Sequence, residues 1–343
     1  MPPRSSTIVC VSYAPLAQSD EIERLCLIEP RIEAFPAPYA EEQSFRHSRH
    51  QKPLDVLRKT PPLVPEELRA ALAQAEVLLA FDVPVDVVQL APKLRWLHSI
   101  TAGIDHLSGC GLRGSGVVVT TSSGIAAPSV AEFVLARLLV VWKRFPEQAE
   151  LQRRAEWSAT YGRAVGGKTV AIVGYGAIGR ALAKLLHAFG AKVIGIRRSS
   201  GEEPNCDEMR PPQDLHQVLG RSDAVVVTAP ATAETFHLID RDALAAMRSG
   251  AILVNVARGS LVDESALIEA LRSGHLGAAA LDVFEREPLP ADSPLWAAPS
   301  CFISSHCAPS LEHYSEDVLE LFVANVRRYL DGEPLTNVAE PPE

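Results

Sequence analysis

Lys168-Thr169-Val170-Ala171-Ile172-Val173-Gly174-Tyr175-Gly176-Ala177-Ile178-Gly179-Arg180 reads as a strand, a glycine turn and the start of a helix. Gly174 permits the tight turn, Gly176 lets the backbone approach a pyrophosphate, and Gly179 lets helix and strand pack closely. A helix opening at Ala177-Ile178 presents unpaired N–H groups and a partial positive charge to phosphates. The stretch predicts a dinucleotide-binding turn, with Gly174, Tyr175, Gly176, Ala177, Ile178 and Gly179 as cofactor contacts.

Downstream of this turn, strand and helix alternate strictly. Strands are expected at Lys192–Ile196 and over 224–228, 251–256, 277–283 and 301–304, with helices over 177–189, 214–219, 241–247 and 263–272. Gly190 and Gly274 stand where helix C-caps favour a residue tolerant of positive φ, and Asp263 can cap the first turn of its helix. Upstream, Thr7–Val11, Val77–Ala80, 94–100 and 117–121 read as strands and 66–74 as a short helix. Prolines 30, 36, 38, 53, 61, 62 and 65 break any long helix in the first 65 residues. Pro128 opens an amphipathic helix, a second helical stretch runs to about Trp157, and a last helix covers 315–329.

This pattern implies an α/β protein with two doubly wound parallel-sheet domains. A flavodoxin-like substrate domain over 1–127, completed by 311–343, is expected beside a Rossmann dinucleotide-binding domain over 128–310. The 343 residues suit two domains of about 150 residues. Hydrophobic residues at 47% and charged residues at 22% exclude a disordered chain and a small disulfide scaffold. A net charge of -9, from 33 basic and 42 acidic residues, argues against nucleic acid as a partner. The apolar stretch 130–142 is interrupted by Glu132 and Arg137 and is too short to span a bilayer. Met1-Pro2-Pro3-Arg4-Ser5 lacks the layout of a signal peptide. Cys10, Cys26, Cys110, Cys206, Cys301 and Cys307 follow no metal spacing, so free thiols in a reducing cytoplasm and no metal are expected. The basic run Arg46-His47-Ser48-Arg49-His50-Gln51-Lys52 reads as a solvated loop.

The second strand after the glycine turn ends in Arg197-Arg198-Ser199-Ser200, where an NAD enzyme places a carboxylate for the ribose 2′-hydroxyl. Guanidinium groups there clamp a 2′-phosphate through charge-assisted bonds. NADP(H) is therefore the expected cofactor, with NAD(H) also accepted.

Three polar islands follow: Asn255-Val256-Ala257-Arg258-Gly259, Leu281-Asp282-Val283-Phe284-Glu285-Arg286-Glu287-Pro288, and Ser304-Ser305-His306-Cys307-Ala308. The first and third lie just past strand ends, where open α/β sheets bind ligands; Asp282 falls within the expected strand 277–283. In order and spacing the three resemble the motifs of the D-isomer-specific 2-hydroxyacid dehydrogenase family. Leu94 to Leu107 is similar to that family's substrate-domain loop, and Ser123 to Glu132 to its domain crossover. The resemblance implies that Arg258 binds the substrate carboxylate and carbonyl, that His306 is the acid/base, and that Glu287 is its carboxylate partner. It implies further that Asp282 holds the nicotinamide carboxamide, and that the backbone at Ala102 and Gly103 holds the substrate carboxylate. Thr228, Ala229, Pro230, Val256 and Ala257 are the remaining expected cofactor contacts.

Where the family usually has Pro before the histidine this chain has Ser305, and where it often has Gly after it stand Ala308 and Pro309. A histidine titrates near working pH, a carboxylate fixes its tautomer, and a bidentate arginine orients a 2-oxoacid, so the residue types suit hydride reduction of a small 2-oxoacid. Glyoxylate and hydroxypyruvate are the expected kind of substrate. The alternative is a dinucleotide-sensing protein with weak or no activity, like the C-terminal-binding-protein corepressors. A homodimer built on the apolar helices of 131–157 is also expected.

Overall fold

The computed structural model describes residues 4–49, 52, 54–199 and 201–342. The chain divides into two compact units, Met1–Ile125 with Leu311–Glu343, and Ala126–Ser310. His50, Gln51 and Ser200 lie outside the described residues.

In the first unit β1 (Thr7–Val11), β2 (Ile32–Pro36), β3 (Val77–Ala80), β4 (Trp96–Ser99) and β5 (Val118–Thr121) run parallel. A short β13 (Val338–Ala339) pairs antiparallel with β5, so the sheet is not wholly parallel as expected. Among the described residues the strand order is β13-β5-β4-β3-β1-β2, a flavodoxin-like order with its reversal between β1 and β3. One face packs Val9, Val11, Leu79 and Trp96 against Val318, Phe322, Val326 and Tyr329 of the helix Tyr314–Asp331. Trp96 stacks on Phe322 with ring centres 5.3 Å apart. Each fully buried side chain of this size contributes about 1.5–3 kcal/mol over leaving it wet.

The proline-rich beginning holds more structure than its composition promised. A ten-residue helix, Ser19–Ile28, fits between Pro15 and Pro30. β2 ends in Pro36 at the sheet's edge, where a missing N–H breaks no ladder. Arg46 and Arg49 of the basic run are not solvated as expected. Arg49 is buried, with Nε donating to Glu41 Oε2 at 2.7 Å and Nη1 to the Ser108 carbonyl at 2.9 Å. Arg46 grips Asp82, its Nε donating at 2.6 Å. Carboxylates supplied from elsewhere in the chain thus fold these arginines inward, as buried ions require.

The second unit forms β6 (Thr169–Val173), β7 (Lys192–Ile196), β8 (Glu208–Arg210), β9 (Ala224–Val227), β10 (Ile252–Asn255), β11 (Ala278–Leu281) and β12 (Cys301–Ile303). All described pairs are parallel, in the Rossmann order β12-β11-β10-β9-β6-β7-β8. β9, β10 and β11 are buried along their whole length, as a sheet with helices on both faces demands. β8 was not legible, because Glu208-Met209-Arg210 is polar at both ends. β11 stops at Leu281, so Asp282 sits one residue past the strand rather than within it.

Gly190 and Gly274 take φ of +75° and +73° at helix ends, and Asp263 Oδ1 accepts the Ala266 N–H at 2.9 Å. The helix Ala127–Trp142 buries Val134, Leu138 and Trp142 against Leu182 and Leu186 of the helix Ala177–Ala188. Its apolar face is therefore covered within its own unit. The following helix is only Phe145–Arg153, and Trp157 stands beyond it, fully exposed. Among the described residues no helix is long and apolar enough to cross a membrane, and no cluster of His, Cys, Asp and Glu is arranged to hold a metal.

Candidate active site

The glycine turn follows β6 at the point where the strand order reverses between β6 and β9. Gly174 takes φ of +96°, and a Cβ there would lie 2.3 Å from the Ala229 nitrogen, so no other residue fits. Its N–H donates to the Ile196 carbonyl at 2.9 Å, and its carbonyl accepts the Thr228 hydroxyl at 2.7 Å. Thr228 thus braces the turn from the neighbouring strand end. At Gly176 a Cβ would meet nothing within 4 Å. That open space, in front of the N-terminus of the helix Ala177–Ala188, fits a phosphate group. Ala177 and Ile178 are partly exposed beside it, whereas the Tyr175 side chain is buried in the core and only its backbone borders the turn. Ala229 and Ala257 are buried, and Pro230 and Val256 are at least partly exposed.

Beyond β7, Arg198 is largely exposed, while Arg197 is tucked in and donates from Nε to the Ser199 carbonyl at 2.8 Å. Residues 197–200 at this strand end include no carboxylate. The fold supplies one: Glu203 returns along the loop to pair with Arg197, and also accepts from Arg180 Nε at 2.9 Å. Spacing along a strand could not reveal it, because the contact closes across a loop.

The three polar islands converge at the carboxyl ends of β10, β11 and β12. Asn255 staples the first: its Nδ2 donates to the Arg258 carbonyl at 2.8 Å, and its Oδ1 accepts the Ala257 N–H at 3.1 Å. Gly259 then lies so close to the second island that a Cβ would fall 1.8 Å from the Phe284 carbonyl carbon. Only glycine permits that approach, which sets Arg258 beside residues 284–287. Glu287 Oε1 accepts the Phe284 N–H at 3.0 Å, and Glu287 Oε2 accepts from His306 Nδ1 at 2.8 Å. Burial pushes the Glu287 carboxyl up, but the His306 hydrogen bond and charge, the Phe284 N–H and the Arg258 charge outweigh it. The net shift is downward, so the carboxylate stays ionised beside the imidazole.

Asp282 organises the third island. Its Oδ1 accepts the Ser304 hydroxyl at 2.6 Å and the Cys307 N–H at 3.0 Å, and its Oδ2 accepts the Ala308 N–H at 3.0 Å. The Asp282 carbonyl accepts the His306 N–H at 2.8 Å. The loop is wound round this aspartate with His306 in the left-handed region, at φ of +52°. Asn255, Gly259 and Ser304 were within the quoted islands, yet their stapling roles show only in three dimensions.

Ala102 and Gly103 belong to the first unit, in the turn after β4. Thr101 Oγ1 donates to the Gly103 carbonyl at 2.7 Å, and Ser122 N–H donates to the Thr101 carbonyl at 3.0 Å. The turn is therefore fixed by its own hydroxyl and by the strand beside it.

Comparison with known proteins bears on these arrangements. Residues 135–308 match the family model described as D-isomer specific 2-hydroxyacid dehydrogenase, NAD binding domain. The chain is 36% identical over 284 residues to glyoxylate/hydroxypyruvate reductase B of Serratia proteamaculans (strain 568), covering 80% of this chain and 87% of that one. It is similar to the crystal structure of a D-isomer specific 2-hydroxyacid dehydrogenase family protein from Aeromonas salmonicida subsp. salmonicida A449. There the TM-score is 0.77 and the identity 32%, over 98% of this chain and 99% of the other. A D-isomer specific 2-hydroxyacid dehydrogenase from Xanthobacter autotrophicus Py2, solved with NADPH and MES, matches at a TM-score of 0.78 and 28% identity over 98% of each chain. With two α/β units, a dinucleotide turn and a relative of this identity over most of its length, the chain belongs to the D-isomer-specific 2-hydroxyacid dehydrogenase family.

Proposed function

We propose that this NAD(P)-dependent enzyme reduces small 2-oxoacids, of the glyoxylate and hydroxypyruvate kind, with NADPH preferred over NADH and His306 as the acid/base. The observation that carries the reading is the 2.8 Å bond between His306 Nδ1 and an ionised Glu287, with Arg258 close enough to lower the Glu287 pKa. When bound, the reduced nicotinamide supplies hydride to the carbonyl carbon. Glu287 accepts a hydrogen bond from the Nδ1–H, which fixes the ring and leaves Nε2 to deliver a proton to the carbonyl oxygen. Arg258 orients the substrate carboxylate and polarises its carbonyl. Asp282 holds the nicotinamide carboxamide, and through its three donors it also holds the histidine loop.

For the cofactor, the turn at Gly176 to Ile178 holds the pyrophosphate, and Arg197, Arg198 and Ser199 hold the 2′-phosphate. Thr228 to Pro230 with Val256 and Ala257 border the remainder. The name of the Serratia relative and the NADPH in the Xanthobacter structure support the substrate and cofactor halves respectively. The test is a panel of 2-oxoacids incubated with the purified protein and either nicotinamide. Oxidation with glyoxylate or hydroxypyruvate is expected, with the KM for NADPH at least about tenfold below that for NADH, since one charge-assisted bond is worth ~1.5–3 kcal/mol. No turnover with any 2-oxoacid would overturn the enzymatic reading, and equal KM values the cofactor preference.

We also propose a homodimer. With the face of Ala127–Trp142 buried inside its unit, support for it shifts to three exposed aromatic side chains just downstream, Phe145, Trp157 and Tyr161, costly to leave wet. Light scattering at micromolar concentration is expected to give the dimer mass; a monomer would refute it.

A further inference from the structure

We propose that Glu203 is a cofactor-specificity residue: held between Arg180 and Arg197 beyond β7, its carboxylate is a fixed negative charge beside the adenosine 2′ position and tempers the preference for a 2′-phosphorylated cofactor. This rests on the reading that Arg197 grips the 2′-phosphate. Arg180 donates to Glu203 from two nitrogens, Nε to Oε2 at 2.9 Å and Nη2 to Oε1 at 3.0 Å. The same Oε1 accepts from Arg197 Nη1. Arg180 follows the last glycine of the turn in the first turn of the helix Ala177–Ala188, so the triad ties the phosphate-binding helix to the loop beyond β7. The carboxylate is partly buried, its side chain 12% exposed, and the two arginines hold its pKa down to about 2. It is therefore charged at any working pH.

Two of the three guanidinium nitrogens of Arg197 are committed, to Ser199 and to Glu203. An anion gripped by Arg197 must approach a cation that already has a carboxylate in contact. Like charges at that range repel through a partly solvated medium strongly enough to change affinity severalfold. A cofactor with a plain 2′-hydroxyl carries no charge there and is unaffected. Arg198, 84% exposed and paired only at 3.8 Å with the exposed Glu234, offers a second cation held less closely by its carboxylate than Arg197 is.

The test measures binding without turnover. Glu203→Gln, Glu203→Asp and Arg197→Ala variants are titrated calorimetrically with adenosine 2′,5′-bisphosphate and with adenosine 5′-monophosphate. Glu203→Gln is expected to tighten the bisphosphate about fivefold while changing the monophosphate less than about twofold. Glu203→Asp, which keeps the charge, is expected to retain the preference ratio of the unmodified protein, so a change in Glu203→Gln is not a folding defect. An unchanged or lowered ratio in Glu203→Gln overturns the proposal. Loss of the bisphosphate preference in Arg197→Ala separates the two readings. If that variant loses it while Glu203→Gln does nothing, Glu203 alone is misassigned; if Arg197→Ala changes nothing, the phosphate grip itself fails.

Discussion

Replacing His306 with Asn is expected to lower kcat by about 10²–10⁴-fold while leaving the affinity for NADPH unchanged. The range is what a positioned proton donor contributes to a carbonyl reduction. Asn is the informative replacement because His306 has φ of +52°, a conformation that Asn tolerates better than most side chains. The loop hangs on main-chain and neighbouring groups, the Asp282 carbonyl and the N–H groups of Cys307 and Ala308, so it survives loss of the imidazole. Steady-state kinetics with a fluorescence titration of NADPH separates chemistry from binding. Near-full turnover would remove His306 from the mechanism.

Arg258→Ala is expected to fail differently, with kcat/KM for the 2-oxoacid falling about 10²–10⁴-fold and a raised KM carrying much of the loss. Two charge-assisted bonds to a carboxylate, at ~1.5–3 kcal/mol each, set that scale. The guanidinium also lowers the Glu287 pKa, so its removal lets that carboxyl drift upward. Activity that depends on ionised Glu287 then disappears at a higher pH on the acid side than in the unmodified enzyme. Arg258→Lys keeps the charge but not the fork and is expected to recover only part of the loss. Saturation kinetics across a pH series checks this; an unaltered KM would mean that Arg258 does not touch the substrate.

How much of this was legible in the chain depended on whether the deciding contact was local. β6 and β7 could be bounded to the residue, because an apolar run ends in Gly174 in one and in charged arginines in the other. The caps at Gly190, Asp263 and Gly274 are likewise local chemistry. β13 was missed because two residues carry no period, and β8 because an edge strand need not be apolar. Arg49 and Glu203 mark the limit more sharply. Both are charged residues whose partners arrive from elsewhere, across loops or from a helix, and only a closed fold brings those partners in. The same holds for the site. Arg258, Glu287 and His306 were readable as a motif, whereas the clamp of Asp282 on the histidine loop and the contact between Gly259 and Phe284 are properties of packing.

The helix Tyr314–Asp331 and β13 close the first unit although the chain reaches them only after the whole second unit. During synthesis, therefore, Val9, Val11, Leu79 and Trp96 emerge from the ribosome long before Phe322 and Tyr329 exist to cover them. The second unit, being contiguous, can complete its core co-translationally, while the first waits with one sheet face and the β5 edge open. Such a chain is most exposed to misassociation in the interval between the two events, and any arrest of translation short of residue 314 strands it there. The order of translation thus makes the helix Tyr314–Asp331 the step that covers a sheet face left sticky in the nascent chain.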